Sequence, residues 1–380
     1  MMKFKPLIVL GILTASAMSA QRFASIKNVV VFQESGRFGG WPANNGMWAW
    51  GNELLVGFSL AYFKNVERGH AVDPDKPSVL RFALSLDGGE TWTIEKPSFL
   101  TPEGKEREPV DSPGGFDFTH PDSAVAFRMV SSRTGYSRFY YSSDRGRNWQ
   151  GPYKIPTFDR TGIAARTDYI VNAKHDLMAF MTAHKVNGRE GRVFAVRTTD
   201  GGKKWELVSW IGPEPNGFSI MPSTVRLSAS RILTTLRRKE GEYHWIDAWV
   251  SDDNGATWRY LNRPVASTGG SVGNPPSLIK LKDGRLSLVY GYRSAPYGVR
   301  ARLTNDNGLT WSDEIVLRSD AGCWDLGYVR SVQRPDGKVV AVYYYNDAAD
   351  RERYIAATIW DPGTVKSPVQ PASSTGEGAQ

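Results

Sequence analysis

An eight-residue pattern recurs five times in this chain, and its spacing limits the fold more than any other feature. The copies are Ser85–Trp92 (SLDGGETW), Ser142–Trp149 (SSDRGRNW), Thr198–Trp205 (TTDGGKKW), Ser251–Trp258 (SDDNGATW) and Thr304–Trp311 (TNDNGLTW). They start at 85, 142, 198, 251 and 304, which are separations of 57, 56, 53 and 53 residues. A near-constant period of this length marks an array of small units or a propeller. Strand-like runs such as Val79–Leu84, Arg138–Tyr141 and Arg192–Arg197 precede the first three copies. The shared Asp-x-Gly suits a hairpin turn, where Gly takes positive φ and Asp bonds its own backbone. One copy alone would read as any hairpin; five in register exclude chance. A sixth unit should begin near 357, where Ala357–Gly363 is a degenerate turn, after strands at Ser331–Gln333, Val339–Tyr345 and Arg353–Thr358. Asn28–Phe32 is the candidate for the missing outer strand of that unit, so the two ends of the chain would close a ring.

Composition narrows the class. The 380 residues carry 47 Lys+Arg against 39 Asp+Glu, a net charge of +8, and no run of five or more basic residues. That balance suits an anionic small substrate or a polyanionic glycan and gives no reason to expect nucleic acid as a partner. The single cysteine, Cys323, excludes an internal disulfide and a cysteine-rich metal site. No His/Cys ligand pattern, nucleophile elbow or phosphate-binding loop is present, so neither a metal nor a cofactor is expected. Residues 1–20 read as a signal peptide, with Lys3 and Lys5 before the apolar run Pro6–Leu13 and small residues at Thr14–Ala20. The apolar run is too short to span a bilayer. The expectation is a secreted or periplasmic protein that has no membrane contact after processing. Residues 24–363 are expected to form one domain, and 364–380 a disordered tail.

The repeated octapeptide is the Asp-box, or BNR repeat. On that motif the chain resembles the sialidase superfamily of six-bladed β-propellers. The resemblance implies an all-β fold in which the Asp-boxes are structural and lie away from the catalytic face. It also implies an exported, exo-acting glycoside hydrolase, similar to exo-α-sialidases (neuraminidases), that releases sialic acid or a related acidic sugar from glycans. The implied partner is a sialylated glycoprotein or oligosaccharide.

In a propeller, inner-strand ends and the loops between blades line one central pocket, where polar residues are the site candidates. Gly36–Asn45 occupies the place of the sialidase Arg-Ile-Pro motif, whose arginine binds the substrate carboxylate. Arg37 lies near that place but lacks the Ile-Pro context, and Trp41 and Asn44 are alternatives; a glycine-rich turn with a surface arginine is the plainer reading. Gly69–Pro77 lies where sialidases carry the acid/base aspartate. His70 and Asp73 are the proton-transfer candidates there, ahead of Asp75. His120 and Arg166, entering blades two and three, are candidate pocket lining or loop braces.

In blade four, sialidases supply a glutamate that activates the nucleophilic tyrosine. Met221–Ser223 holds no acid there, and Glu214, in a proline-flanked loop, is the nearest. Arg237 or Arg238 follows on the next strand; with Arg37 and Arg293, Arg238 is assigned to the carboxylate. Cys323–Ser331 resembles the strand start that bears the sialidase nucleophile, with Tyr328 as that tyrosine, Asp325 three residues earlier as a base on water, and Asn346 able to reach the same pocket. A neutral tyrosine meets less repulsion from an anionic sugar than a carboxylate does, and tyrosine is the sialidase exception to the two-carboxylate rule.

Two mechanisms follow. In a retaining one Tyr328 attacks and Glu214 takes its proton. In an inverting one Asp325 or Glu214 activates water, with acid and base roughly 6.5–9.5 Å apart. Three functions stay open: this hydrolase, for sialic acid or for rhamnose, arabinose or a uronate; a non-catalytic carbohydrate-binding propeller; and a lyase on a uronate that uses Tyr328 with His120 or His70.

Overall fold

In the computed structural model, residues 25–67, 69–131, 135–270 and 272–363 are described. The segments expected to be a signal peptide and a tail lie outside them. Among the described residues the regular elements are all β-strands, apart from one short 3-10 turn at Pro42–Asn44.

β1 (Lys27–Phe32) is set aside at first. Blade one contains β2 (Arg37–Gly40), β3 (Met47–Trp50), β4 (Glu53–Tyr62), β5 (Val79–Ser85) and β6 (Thr93–Glu95). Blade two is β7 (Ala124–Met129), β8 (Ser137–Ser142) and β9 (Gln150–Ile155). Blade three is β10 (Ile163–Ala173), β11 (Asp176–His184), β12 (Glu190–Thr198) and β13 (Glu206–Trp210). Blade four is β14 (Phe218–Arg226), β15 (Ile232–Glu240), β16 (Tyr243–Ser251) and β17 (Arg259–Val265). Blade five is β18 (Pro276–Lys280), β19 (Leu286–Tyr292), β20 (Gly298–Thr304) and β21 (Ile315–Arg318). Blade six is β22 (Gly327–Gln333), β23 (Val339–Tyr345), β24 (Tyr354–Trp360) and then β1, which pairs antiparallel with β24. This six-bladed β-propeller is closed by its N-terminal strand.

Six apolar clusters hold the ring, one at each junction between neighbouring blades. Side chains alternate across a strand, so a strand buried on both faces feeds two junctions. In β23, Val339, Ala341, Tyr343 and Tyr345 pack toward blade five, while Val340, Val342 and Tyr344 pack toward blade one. No junction is an exposed sheet face, and closing the ring is what removes the last one.

The Asp-boxes close the β-hairpins on one rim. In the first, Asp87 accepts from the Glu90 and Thr91 backbone N–H at 3.1 and 2.9 Å and from the Ser85 and Thr91 hydroxyls at 2.8 and 2.6 Å. Trp92 Nε1 donates to the Gly89 carbonyl at 3.0 Å. The two hydroxyl bonds, the Thr backbone bond and the Trp bond recur in the fourth box around Asp253. Burial disfavours the Asp87 carboxylate, but its hydrogen bonds from Thr91, Ser85 and Glu90 outweigh that and bring its pKa to about 2. Because the folded value is depressed, its stabilisation is present above the unfolded value and is lost as pH falls through about 2. Asp87→Asn is expected to lower the urea midpoint at neutral pH and to flatten its fall below about pH 4. An unchanged acid limb would show that the box does not contribute to acid stability.

Blade two departs from the pattern. Among the described residues it has three strands, and β7 pairs with β8 as the second strand does in the other blades, so no inner strand is found there. β7 therefore starts on the Asp-box rim rather than on the opposite face.

Candidate active site

Three inner strands are interrupted where they reach the face opposite the Asp-boxes. Pairing breaks between Ala165 and Tyr169 in β10, between Ile220 and Ser223 in β14, and between Gly327 and Arg330 in β22. Such bulges free a residue from the ladder and re-aim its side chain. They release Arg166–Asp168, Met221 and Tyr328, and the last two take positive φ, +52° and +53°. Positive φ in a tyrosine is a strained conformation that the surroundings must enforce. Asn274, fully buried, does so: its Oδ1 accepts from Tyr328 N at 2.9 Å and its Nδ2 donates to Leu326 O at 3.0 Å. Gly327, at φ +106°, leaves room for that amide; a Cβ there would lie 2.3 Å from it.

Asp325 is the best-held acid in this region. It is 1% exposed. Oδ1 accepts from His70 Nδ1 at 2.6 Å and from the Tyr344 hydroxyl at 2.8 Å. Oδ2 accepts from Ala71 N at 3.1 Å and from Arg353 Nε at 3.0 Å. Burial alone would raise its pKa, but the bond and charge of His70, with Arg353 and Arg293, hold it well below the carboxylate range. An ionised carboxylate only accepts, so His70 carries a proton on Nδ1 and turns Nε2 away from Asp325. The His70 side chain is 29% exposed. Its ring sits edge-on to Trp41 at 5.2 Å, with Trp324 at 5.8 Å and Tyr328 at 6.2 Å.

Tyr328 is surrounded by cations. Arg237 Nη1 donates to its oxygen at 3.1 Å, and the Arg237 and Arg293 guanidiniums each lie 5.6 Å from its ring centre. Burial pushes the phenol up, but Arg237, Arg293 and Arg166 outweigh it and bring it below its ordinary value. Tyr344 goes the other way: burial first, then Asp325, keep it a phenol that donates to Asp325.

The sequence candidates divide clearly. His70, Trp41, Tyr328, Asp325 and Arg166 meet at the centre. Asn44 joins them by accepting from Arg166 Nε at 2.9 Å, and Arg166 is held bidentately by Glu190 at 2.5 and 3.2 Å. Asn346 is fully buried and holds the 323–325 loop, accepting from Cys323 N and donating to Asp325 O at 2.9 Å each, so it positions Asp325 and does not line the pocket.

Arg293 is 1% exposed and spends its N–H groups on Leu326 O, Gly273 O and Tyr344 OH. It acts on Tyr328 through its charge and is not free to grip a substrate carboxylate. Arg37 lies outside the cluster, donating to Ala61 O at 2.9 Å over the Tyr62 ring. Arg238 points the opposite way from Arg237, into Asp247 at 3.0 Å and over Trp245, because side chains alternate along β15.

Asp73 is tied to Lys64 at 3.2 Å and Lys76 at 3.7 Å. Burial opposes ionisation, but the Asp75 N–H and the two lysines lower its pKa, so it is a poor proton donor. Glu214 is exposed in the loop between β13 and β14 and makes no contact with Tyr328; Met221 fills the place beside that ring, with its Sδ 3.4 Å from Arg237 Nη1. His120 lies on the Asp-box rim, where its neighbour Asp122 binds Arg145 of the second box at 2.6 Å. Asp325, with four donors on two oxygens, has no capacity left to activate water.

A model of the BNR repeat-like domain matches residues 81–341, more than half of the chain. The chain belongs to this family. Solved structures similar to this BNR repeat-like protein share its fold. They include a protein of unknown function from Dyadobacter fermentans DSM 18053 (21% identity, TM-score 0.65, covering 88% of this chain and 99% of that one). The NanB sialidase of Streptococcus pneumoniae gives 13% identity and a TM-score of 0.61, with 89% and 70% covered. An α-L-arabinofuranosidase of Fusarium graminearum gives 13% and 0.57, with 86% and 97% covered. A search of curated proteins returns no significant match. The fold is that of the sialidase-like superfamily, and these identities establish the fold alone.

Proposed function

We propose that this BNR repeat-like protein is a glycoside hydrolase that removes a terminal acidic sugar of the sialic acid type. The observation that carries the reading is Tyr328, its pKa lowered by Arg237, beside a histidine whose tautomer Asp325 sets. A sugar whose carboxylate sits on the reacting carbon would bring that carboxylate within reach of Arg237 as Tyr328 meets the carbon. Arg237 Nε has no hydrogen-bond partner among the described residues. A charge-assisted bond there would be stronger than a neutral one.

In this mechanism Tyr328 is the nucleophile and forms a glycosyl–enzyme bond as the C–O bond to the leaving group breaks. The field of the arginines, rather than a glutamate, favours its oxyanion. As the imidazolium, His70 gives its Nε2 proton to the leaving oxygen; the neutral ring that results, still protonated on Nδ1, then takes a proton at Nε2 from the water that hydrolyses the intermediate. Asp325 is a positioning residue. Trp41 and Trp324 form apolar walls for the sugar.

The absence of a carboxylate beside Tyr328 among the described residues also fits a second reading, a lyase on a uronate. There Tyr328 and His70 would move protons while Arg237 neutralises the carboxylate. Product analysis separates the two. The purified chain is incubated with sialyllactose, mucin and uronate polymers, and products are followed by mass and by ultraviolet absorbance. Free acidic sugar without new absorbance supports the hydrolase. New absorbance, from an unsaturated product, supports the lyase. Neither product, with glycan binding retained, would make the chain a carbohydrate-binding propeller.

A further inference from the structure

On the propeller axis lies a polar cavity of about 330 Å³, lined by the inner strands of blades three to six and by Met47 of blade one. Its polar lining comes from Thr167, Asp168, Ser223, Thr224, Ser277, Arg330 and Ser331. Arg330 and Ser331 follow Tyr328 along β22, so the cavity adjoins the floor of the site without being part of the chemistry described above.

The polar groups here are unevenly satisfied. Asp168, 7% exposed, accepts from Thr224 N at 3.1 Å and from Thr224 Oγ1 at 2.8 Å. Arg330 donates through Nη2 to Ala43 O at 2.9 Å, but its Nε has no partner among the described residues. Ser331, also 7% exposed, has an unpartnered Oγ. Arg330 and Asp168 are not in contact as an ion pair, so the guanidinium is balanced only across the cavity. The half-buried cation and the buried hydroxyl left in this state carry a desolvation cost that a bound counter-ion reduces.

We propose that this cavity is a binding site for a small monovalent anion, held by Arg330 and the Ser331 hydroxyl and opposed by Asp168. Charge sets its pH dependence. The charged group that faces Asp168 is Arg330 on β22; Arg166, on the same strand as Asp168, acts on Arg330 and is neutralised by Glu190. The β14 and β18 linings contribute hydroxyls, and β3 contributes Met47. Burial raises the Asp168 pKa to about 7 against the pull of Arg330 and the Thr224 bonds. Below that value Asp168 is neutral and leaves the guanidinium without a counter-charge; above it the carboxylate supplies one and repels an anion.

The test is thermal unfolding of the full chain in sodium bromide against sodium gluconate at equal ionic strength, at about pH 5.5 and about pH 9. Bromide is expected to raise the melting temperature by at least about 2 °C at the lower pH and not at the higher. Asp168→Asn should extend the rise to the higher pH. Arg330→Met should abolish it, and Ser331→Ala, a smaller change to the fold, should weaken it. Coincident bromide and gluconate curves at the lower pH, or an undiminished rise in both Arg330→Met and Ser331→Ala, would overturn the proposal.

Discussion

His70→Gln is expected to lower kcat/KM by about 10²- to 10⁴-fold while leaving glycan binding and the melting temperature close to wild type. Gln approximates the volume of the ring and keeps a donor for Asp325, but it cannot exchange a proton at the position of Nε2. The wild-type imidazole is held by Asp325 at 2.6 Å and walled by Trp41 and Trp324, so little reorganisation is needed before reaction. Initial rates on the acidic glycoside, with binding by calorimetry in parallel, check this. A rate within threefold of wild type would remove His70 from the proton-transfer role.

Asp325→Asn is expected to have the largest combined effect. Two donors converge on each carboxylate oxygen, from His70 and Tyr344 on one and from Ala71 and Arg353 on the other. An amide must turn an NH₂ group toward one of these pairs. It also removes the counter-charge of Arg353, a residue only 4% exposed. Breaking a buried pair from one side costs about 3–5 kcal/mol. Because the folded pKa of Asp325 is depressed, its contribution is present above the unfolded value of about 3.9 and is lost as pH falls toward the folded one. The variant should therefore lose stability at neutral pH and show a shallower acid limb. Turnover should also fall at temperatures where the variant remains folded, because the His70 tautomer is no longer set. Urea titrations at several pH values, with rates taken below the transition, separate the two effects. A neutral-pH stability within about 1 kcal/mol of wild type would contradict the account of the network.

The architecture was legible because a repeat with fixed turn chemistry carries its own register. The Asp-box places an aspartate, a glycine and a tryptophan where one hairpin needs them, and the spacing then counts the blades. The degenerate sixth unit and the pairing of Asn28–Phe32 with the last blade follow from the same arithmetic.

The centre was legible only in part. Tyr328 and His70 stood out because the resemblance names their places and because packing alone does not ask for them. Arg237 and Arg238 lie at the same strand end, and the sequence alone does not tell which of them turns toward the pocket. Side-chain alternation decides between them, and its phase is set by the pairing of β15 with β16, which the local sequence does not reveal. His120 failed for a topological reason: blade two has no inner strand among the described residues, which moves the start of β7 to the other rim. Asp73 is an acid in the expected loop but faces two lysines, and Glu214, the acid nearest to the expected place, faces solvent. Asn274, Tyr344, Arg353 and Glu190 carry no sequence signal of their own, since their roles arise from contacts between blades.

Release of free sialic acid from sialyllactose by wild type and Tyr328→Phe, side by side, tests the central claim most directly. Removing one phenolic oxygen leaves the ring and its packing in place and takes away the proposed nucleophile. The account predicts release by the wild type, and in the variant retained binding with release lowered by at least about 10²-fold. Release by the variant at the wild-type rate, or no release by the wild type, would contradict it.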